Sequence, residues 1–274
     1  MTTAILLTDR GVVEVSGEDA AKFLHNIVTN DVKSLDAGEA RFAALLTPQG
    51  KILFDFVVFA LGEGRFLLDC PLSLADDLEK RLNLYKLRAK ITVTNLSDRL
   101  EAIAFPDAAE RPEAPAIALA PDPRAEALGW RALAEKGKIA ASGPLADYEM
   151  RRIRAGVPLG GVDFDYSDAF PHEADMDLFA GLDFKKGCYV GQEVVSRMKH
   201  RNLVRKRVTQ YRAPGGAPKP GESIRAGDVE IGVTGSAIGE EGLALIRLDR
   251  LADAKEKGEA PIAGGVALEF IERG

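Results

Sequence analysis

The spacing of apolar residues in the first hundred positions alternates between helical and strand-like. Apolar residues at helical spacing predict amphipathic helices over 20–28, directly after Gly17-Glu18-Asp19, and over 74–84. Runs rich in β-branched, aromatic or alternating apolar residues predict strands at 42–46, 51–60, 64–70 and 89–96. The turn signal Thr47-Pro48-Gln49-Gly50 joins the first two strands as a hairpin. Helices interspersed among antiparallel strands indicate α+β layers.

Proline and glycine punctuate the second half of the chain. Proline recurs throughout residues 105–124 and excludes a stable helix there, so we predict a loop with a short strand at 116–120. A helix is predicted over 145–155. From residue 208 onward, short β-rich runs separated by glycines predict a small antiparallel barrel or sandwich, with a charged turn at 255–258.

The length of 274 residues favours two domains. We place an α+β body at 1–205, with lobes at about 1–104 and 125–205 joined by the proline- and alanine-rich segment, and a β domain at 206–274. With only two cysteines, the chain cannot form a disulfide scaffold or a four-cysteine metal site by itself, and we expect no metal site. The sequence shows no signal-peptide or membrane-span pattern, which predicts a cytoplasmic protein.

The most informative chemical signal is Lys185-Lys186-Gly187-Cys188-Tyr189-Val190-Gly191-Gln192-Glu193, with Arg197 four residues further on. Ammonium groups and the N–H groups of a helix start favour the thiolate, which is the reactive form of cysteine. The two glycines permit a tight turn or a close approach to a ligand. Cys188 and Lys186 are therefore the candidate catalytic residues. The alternative is a cysteine that serves as a small buried hydrophobe.

The charge of the chain is unevenly distributed. A net charge of −6 argues against nucleic-acid binding through bulk charge. A basic run nevertheless follows the cysteine motif, and we call it the basic run: Arg197, Lys199, Arg201, Arg205, Lys206 and Arg207. We expect it to form a solvated face. The alternative is a surface that attracts a polyanion such as a polyglutamate tail, phosphate or RNA.

Asp55 stands among apolar residues of a predicted strand, where an ionised carboxylate is costly without a partner. Its functional interpretation is a carboxylate that faces a cleft and accepts hydrogen bonds from a heterocycle. The alternative is a residue on an edge strand that points to water.

Several ordered segments resemble one protein family across almost the whole chain. They are the cysteine motif above, Gly17-Glu18-Asp19-Ala20-Ala21-Lys22-Phe23-Leu24 with Thr29-Asn30-Asp31-Val32, Leu46-Thr47-Pro48-Gln49-Gly50-Lys51-Ile52-Leu53-Phe54-Asp55, Tyr85-Lys86-Leu87-Arg88-Ala89-Lys90, Arg152-Ile153-Arg154-Ala155-Gly156-Val157-Pro158 and Phe170-Pro171-His172-Glu173. Together they resemble the YgfZ/Caf17-type folate-binding family, a relative of the glycine-cleavage T-protein, which is an aminomethyltransferase.

This resemblance implies a two-lobed folate-binding α+β body with a small C-terminal antiparallel β-barrel. It also implies tetrahydrofolate or a derivative as ligand, and an accessory role in assembling or maintaining iron–sulfur clusters of client enzymes, including tRNA-modifying radical enzymes. Cys188 would be the reactive or cluster-contacting group, and Lys186 would steady its thiolate or an anionic ligand. The residues expected to bind folate or shape its site are Asp55, Glu173, Tyr189, Gln192, Glu193 and Arg197.

Two positions depart from the T-protein pattern. Phe54 stands where T-proteins carry the first of two acidic residues, and Arg154 replaces a carboxylate that helps hold the pterin. A cation cannot accept hydrogen bonds from a pterin amino group, so Glu173 is the expected substitute acceptor. Two alternatives stay open: a tetrahydrofolate-dependent aminomethyltransferase, and an RNA- or protein-binding module that uses residues 197–207.

Overall fold

A computed structural model describes residues 2–201 and 203–271, so Asn202, which lies between members of the basic run, and both chain ends are outside the described residues. The helices are α1 (Ala20–Ile27), α2 (Ala75–Tyr85), α3 (Leu145–Arg154), α4 (Gln192–His200) and α5 (Leu248–Lys257). The strands are β1 (Ile5–Leu7), β2 (Arg10–Ser16), β3 (Ala40–Leu46), β4 (Ile52–Gly62), β5 (Arg65–Pro71), β6 (Thr92–Asn95), β7 (Leu100–Phe105), β8 (Ala118–Pro121), β9 (Trp130–Glu135), β10 (Lys206–Arg212), β11 (Ser223–Ala226), β12 (Val229–Ile238), β13 (Glu241–Arg247), β14 (Pro261–Ala263), β15 (Val266–Ala267) and β16 (Glu269–Phe270).

A five-stranded antiparallel sheet with the order β3-β4-β5-β2-β6 forms the first layer of the body. Helices α1 and α2 cover one face of this sheet through buried residues such as Phe23, Leu24 and Leu82. The predicted helices and the hairpin around Thr47-Pro48-Gln49-Gly50 are confirmed. Because successive strand residues point to opposite faces, the same strands also contribute Val57 and Phe59 to a second core on the other side.

That second core lies between the five-stranded sheet and a four-stranded sheet with the order β1-β7-β9-β8. Strand β1, near the chain start, pairs with β7, and β7 pairs with β9, so this sheet joins residues from both sides of the proline-rich loop. The short strand predicted inside that loop is present as β8. No helix in the described part of the chain is both long and apolar enough to cross a membrane.

The C-terminal region is a seven-stranded antiparallel sheet with the order β15-β14-β11-β12-β13-β10-β16, which surrounds its own core. The predicted charged turn at 255–258 is wrong, since these residues form the last turn and end of α5. Leu248, Leu251 and Ala254 recur at helical spacing and pack against the barrel core, and this burial favours the helix.

Two arginines fasten the barrel to the body. Arg152 on α3 is buried and donates to Asp163 (3.1 Å) and to the hydroxyl of Ser236 on β12 (2.8 Å). Arg207 on β10 donates to the carboxylates of Asp175 (2.8 Å) and Asp177 (2.8 Å). Arg152 belongs to a segment that carries the family resemblance and Arg207 belongs to the basic run, and both hold the barrel against the body.

Candidate functional site

Cys188 is exposed on the irregular segment that leads into α4. The flanking Gly187 and Gly191 have φ angles of +99° and +82°, which only glycine adopts without strain. At Gly191 a Cβ atom would lie 2.6 Å from the carbonyl oxygen of Thr47, so the close packing on the β3–β4 turn also requires glycine. The alternative of a buried, hydrophobic Cys188 is therefore excluded.

Lys186 does not project into solvent; it ties the cysteine loop to the end of α1. Its Nζ donates to the carbonyl oxygen of His25 and to that of Val28 (2.8 Å), and it lies 4.8 Å from the centre of the Tyr189 ring. Burial lowers the pKa of Lys186 to about 8, although the carboxylates of Asp31 and Asp183 and the Cys188 thiol act in the opposite direction. The Cys188 thiol thus lies close enough to the Lys186 ammonium for the two groups to interact electrostatically.

His25 and Asp31 belong to the same unit, which sequence reasoning missed. One ring nitrogen of His25 lies 3.1 Å from the backbone oxygen of Lys186, and the other lies 2.9 Å from a carboxylate oxygen of Asp31. The neighbouring Thr29 donates to the carbonyl oxygen of Gly181 (2.7 Å), which precedes the loop. The sequence did offer one indication of this unit: Asp31 belongs to a segment that carried the family resemblance, and His25 lies four residues before that segment.

The remaining residues predicted from the cysteine motif have different environments. Tyr189 points inward, its hydroxyl has no hydrogen-bond partner among the described residues, and burial raises its pKa to about 12. Gln192 is half-buried at the first turn of α4, while Glu193 and Arg197 are exposed and one turn apart on it. An acidic residue in the first helical turn and a basic one in the last both complement the helix dipole.

Asp55 lies on β4 between two paired strands and is only 6% exposed, so the interpretation as an edge residue that points to water is wrong. Its carboxylate accepts a hydrogen bond from the hydroxyl of Tyr166. Burial, together with the adjacent Asp55 carboxylate, strongly raises the pKa of Tyr166, so this hydroxyl stays protonated and able to donate. The Asp55 carboxylate also interacts electrostatically with the buried guanidinium of Arg10 on β2.

Glu173 stabilises its own turn. One carboxylate oxygen accepts from the backbone N–H of Phe170 (2.8 Å), and its carbonyl oxygen accepts from the N–H of Val208 (3.0 Å) at the start of the barrel. Arg154, the second departure from the T-protein pattern, pairs with Glu241 of β13 at 2.6 Å. These two positions therefore contribute to the contact between body and barrel.

The basic run is not a uniform solvated face. Arg207 pairs with two carboxylates, as described above, and Lys199 lies 3.6 Å from the centre of the Phe184 ring. The prediction of a solvated face is wrong for Arg207, because the turn at 172–177 supplies acidic partners that are distant in sequence. Within residues 2–201 and 203–271, no group of three or more His, Cys, Asp and Glu side chains is placed to hold a metal ion.

The fold and site define a protein with a T-protein-type body, a C-terminal β-barrel and an exposed cysteine on the segment that leads into α4. The sequence matches the family "GCVT N-terminal domain" over residues 7–110 and "CAF17, C-terminal beta-barrel domain" over residues 205–272. In structure it is similar to glycine cleavage system aminomethyltransferase T from Bartonella henselae, with a TM-score of 0.76 and 17% identity over 99% of this chain and 85% of that one. At this identity the likeness describes the fold.

The chain belongs to the CAF17 family of iron–sulfur cluster assembly factors, which includes IBA57. It is 33% identical to the mitochondrial iron-sulfur cluster assembly factor IBA57 homolog of Mycosarcoma maydis, over 95% of this chain and 68% of the relative. It is also 33% identical to mitochondrial IBA57 of Homo sapiens, over 89% of this chain and 77% of the relative.

These comparisons confirm the family resemblance, the fold class with its terminal barrel, and the iron–sulfur assembly role at the level of the family. The predicted cytoplasmic location is wrong, because these relatives are named as mitochondrial proteins.

Proposed function

We propose that this chain assists iron–sulfur cluster assembly in client enzymes by presenting Cys188 to a partner. The observation that carries the proposal is the exposed Cys188 on a loop that Lys186 anchors to α1. A thiolate is both a nucleophile and the usual protein ligand of iron–sulfur clusters. Since Cys70 is buried, Cys188 is the cysteine available for such chemistry, and a partner must supply the other ligands.

The surrounding residues keep the thiol accessible and correctly placed. Lys186 supplies a cation within electrostatic reach, and its bonds to α1 leave little freedom for the segment that carries the cysteine. His25 also holds this loop in place, because one of its ring nitrogens lies within hydrogen-bond distance of the Lys186 backbone oxygen and the other lies beside the Asp31 carboxylate. Gly187 and Gly191 give the backbone the bends that bring Cys188 to the surface.

The decisive experiment compares Cys188→Ser with Cys70→Ala in cells that depend on this protein. We expect Cys188→Ser to lower the activity of iron–sulfur enzymes severely while the variant protein stays folded and abundant. Cys70→Ala, which trims a buried side chain by one sulfur atom, should retain maturation activity at a small cost in stability. Full activity of Cys188→Ser would refute the proposal.

We further propose that the body binds tetrahydrofolate or a derivative weakly, with Asp55 as the pterin acceptor. A buried carboxylate is suited to accept hydrogen bonds from a pterin, and the interior near it also contains cationic side chains such as Arg10. The hydrogen-bonding and charged groups around Asp55 therefore fit a folate. One oxygen of Asp55 is already used by Tyr166, so a folate has to displace that hydroxyl, which costs affinity. When bound, a reduced folate supplies a nucleophilic nitrogen for one-carbon transfer.

Calorimetry with tetrahydrofolate tests this second proposal independently of maturation. We expect a dissociation constant on the order of micromolar or above, equivalent to no more than about 8 kcal/mol. Asp55→Asn should weaken binding, whereas Tyr166→Phe should strengthen it, because the phenylalanine no longer competes for the carboxylate. No heat and no thermal shift at millimolar folate, or equal affinities in all three proteins, would contradict the proposal.

We also propose tRNA-modifying radical enzymes among the clients, on the basis of the family resemblance alone. The level of the corresponding modified nucleosides in tRNA from the Cys188→Ser cells tests it. Unchanged levels alongside reduced activity of other iron–sulfur enzymes would remove these clients and leave the assembly role intact.

A further inference from the structure

Residues 85–90, one of the segments that carried the family resemblance, take no part in the Cys188 site. Leu87 within this segment is 88% exposed, more than any other large apolar residue in the described ranges, and Leu84 on the last turn of α2 is 67% exposed. Leu87 also has a φ angle of +45°, a backbone conformation that is strained for a bulky residue. Strain and exposure at one side chain are typical of positions that a binding function maintains.

A pocket of about 480 Å³ is lined by Leu84, three residues before Leu87 in the chain. Its apolar walls come from Leu53, Phe54, Leu74 and Leu84, and Tyr166 forms part of the lining. A concavity of this size accommodates one or two large side chains.

Lys80, Arg81 and Asp77 line the pocket, and Lys86 and Arg88 flank Leu87 in the sequence, so this region carries more positive than negative charge in a chain whose net charge is −6. Lys80 pairs with Asp77 at 3.2 Å, so those two charges offset each other. Among residues 2–201 and 203–271, Arg81, Lys86 and Arg88 have no carboxylate within ion-pair distance. The Arg81 guanidinium lies 5.8 Å from the centre of the Tyr85 ring, which leaves its charge unneutralised. Cations without carboxylate partners beside an apolar pocket are complementary to acidic residues that flank an apolar one.

We propose that Leu84, Leu87, the pocket and these three cations form a docking surface for an acidic segment of another protein, which inserts an apolar side chain into the pocket. We call this the leucine surface. A concave pocket suits a single anchoring side chain better than a planar lipid layer. Aliphatic leucines also lack the stacking rings with which proteins usually hold single-stranded nucleic acid. A protein segment therefore fits the surface better than a membrane or an RNA.

A peptide-binding measurement tests the proposal on the full chain. The probe is a fluorescein-labelled twelve-residue peptide of glutamate and aspartate that carries two leucines and one phenylalanine, and the control peptide has lysine at every acidic position. Fluorescence anisotropy should show saturable binding of the acidic peptide only. Binding should weaken about tenfold in Leu84→Ser/Leu87→Ser and in Arg81→Glu/Arg88→Glu, since anchors and complementary charges dominate such interfaces. Leu72→Ser, which removes an exposed leucine outside the surface, is the matched control.

The variant Leu87→Gly distinguishes a binding role of Leu87 from a purely structural one. Glycine relieves the positive φ angle, so this variant should melt at a higher temperature while it binds the peptide more weakly. Cys188→Ser should bind the peptide as the parent does, which separates this test from the assembly proposal. Equal binding by all variants, or no binding by the parent, would overturn the proposal. So would leucine-dependent binding of phosphatidylserine vesicles or of tRNA in place of the peptide.

Discussion

At the scale of single residues, the two cysteines show how surroundings determine chemistry. Cys70 is fully buried on β5, and burial raises the pKa of its thiol to about 12 even though Arg10 acts against that shift. Cys188 is exposed on a loop beside Lys186. The same side chain is thus an inert core group at one position and an accessible thiol at the other.

We predict that iodoacetamide alkylates Cys188 much faster than Cys70 in the folded protein, because Cys188 is exposed whereas Cys70 is buried and burial raises the pKa of its thiol. Lys186→Met should slow the Cys188 reaction by roughly a factor of three, since it removes a screened charge. Mass spectrometry at several reaction times measures both rates. Lys185→Met, at the exposed neighbouring lysine, is the control, and an equal slowing there would show that local charge alone is responsible.

At the scale of elements, α3 connects the body to the barrel through one of its faces. The Arg152 guanidinium is buried and bonds to Asp163, Glu149 and Ser236, while the adjacent Arg151 points outward and pairs with Asp107 at the surface. Asp163 in turn accepts from the backbone N–H of Ser236 (2.6 Å). Two consecutive arginines therefore have opposite roles, because the helix turns successive residues to different faces.

Arg152→Met should lower the free energy of unfolding by about 3–5 kcal/mol, because it leaves the buried Asp163 carboxylate without its cation. Arg151→Met removes an exposed pair and should cost no more than about 1 kcal/mol. Urea denaturation followed by circular dichroism measures both values. Similar losses in the two variants would show that the Arg152 network adds nothing beyond a surface ion pair.

At the scale of the whole molecule, a buried ionic network joins the two sheets of the body. Asp69 on β5 pairs with Arg10 of its own sheet (2.6 Å) and with Arg131 of the four-stranded sheet. Arg131 continues to Asp122 (3.4 Å), which also pairs with Arg124 (2.7 Å). All these charges lie between the layers, so each is compensated by a partner rather than by water.

Acid should weaken the protein through this network. Burial alone would raise the pKa of Asp122, but Arg124 and Arg131 outweigh it and lower the pKa to about 2. Because the folded pKa lies below the unfolded value near 3.9, the stabilisation is present above about pH 4 and is lost as the pH falls towards 2, by roughly 2 kcal/mol. Urea titrations across this range should show the loss, and Asp122→Asn should show less of it.

The exposed Asp107→Asn is the control for this pH series. Should Asp122→Asn fail to fold, carbon-13 NMR of the Asp122 carboxyl group in the parent protein gives the same information. A titration midpoint near 4 would contradict the predicted shift.

Local sequence patterns are sufficient to predict most individual elements, the glycine-bounded cysteine loop and the family. Apolar periodicity, turn residues and short motifs act over a few neighbouring positions, which is why α1, the β3–β4 hairpin and the exposed Cys188 could be predicted. Helix α5 was missed because its apolar face is short and follows a run of strands.

The partner of each functional group depends on how distant segments pack together. His25 and Lys186 are 161 positions apart, and Asp55 and Tyr166 are 111 apart, so no local pattern connects them. The acidic partners of Arg207 likewise come from a separate turn. Because the packing of the sheets and the barrel brings these groups together, the properties of the site arise from long-range contacts that periodicity does not encode.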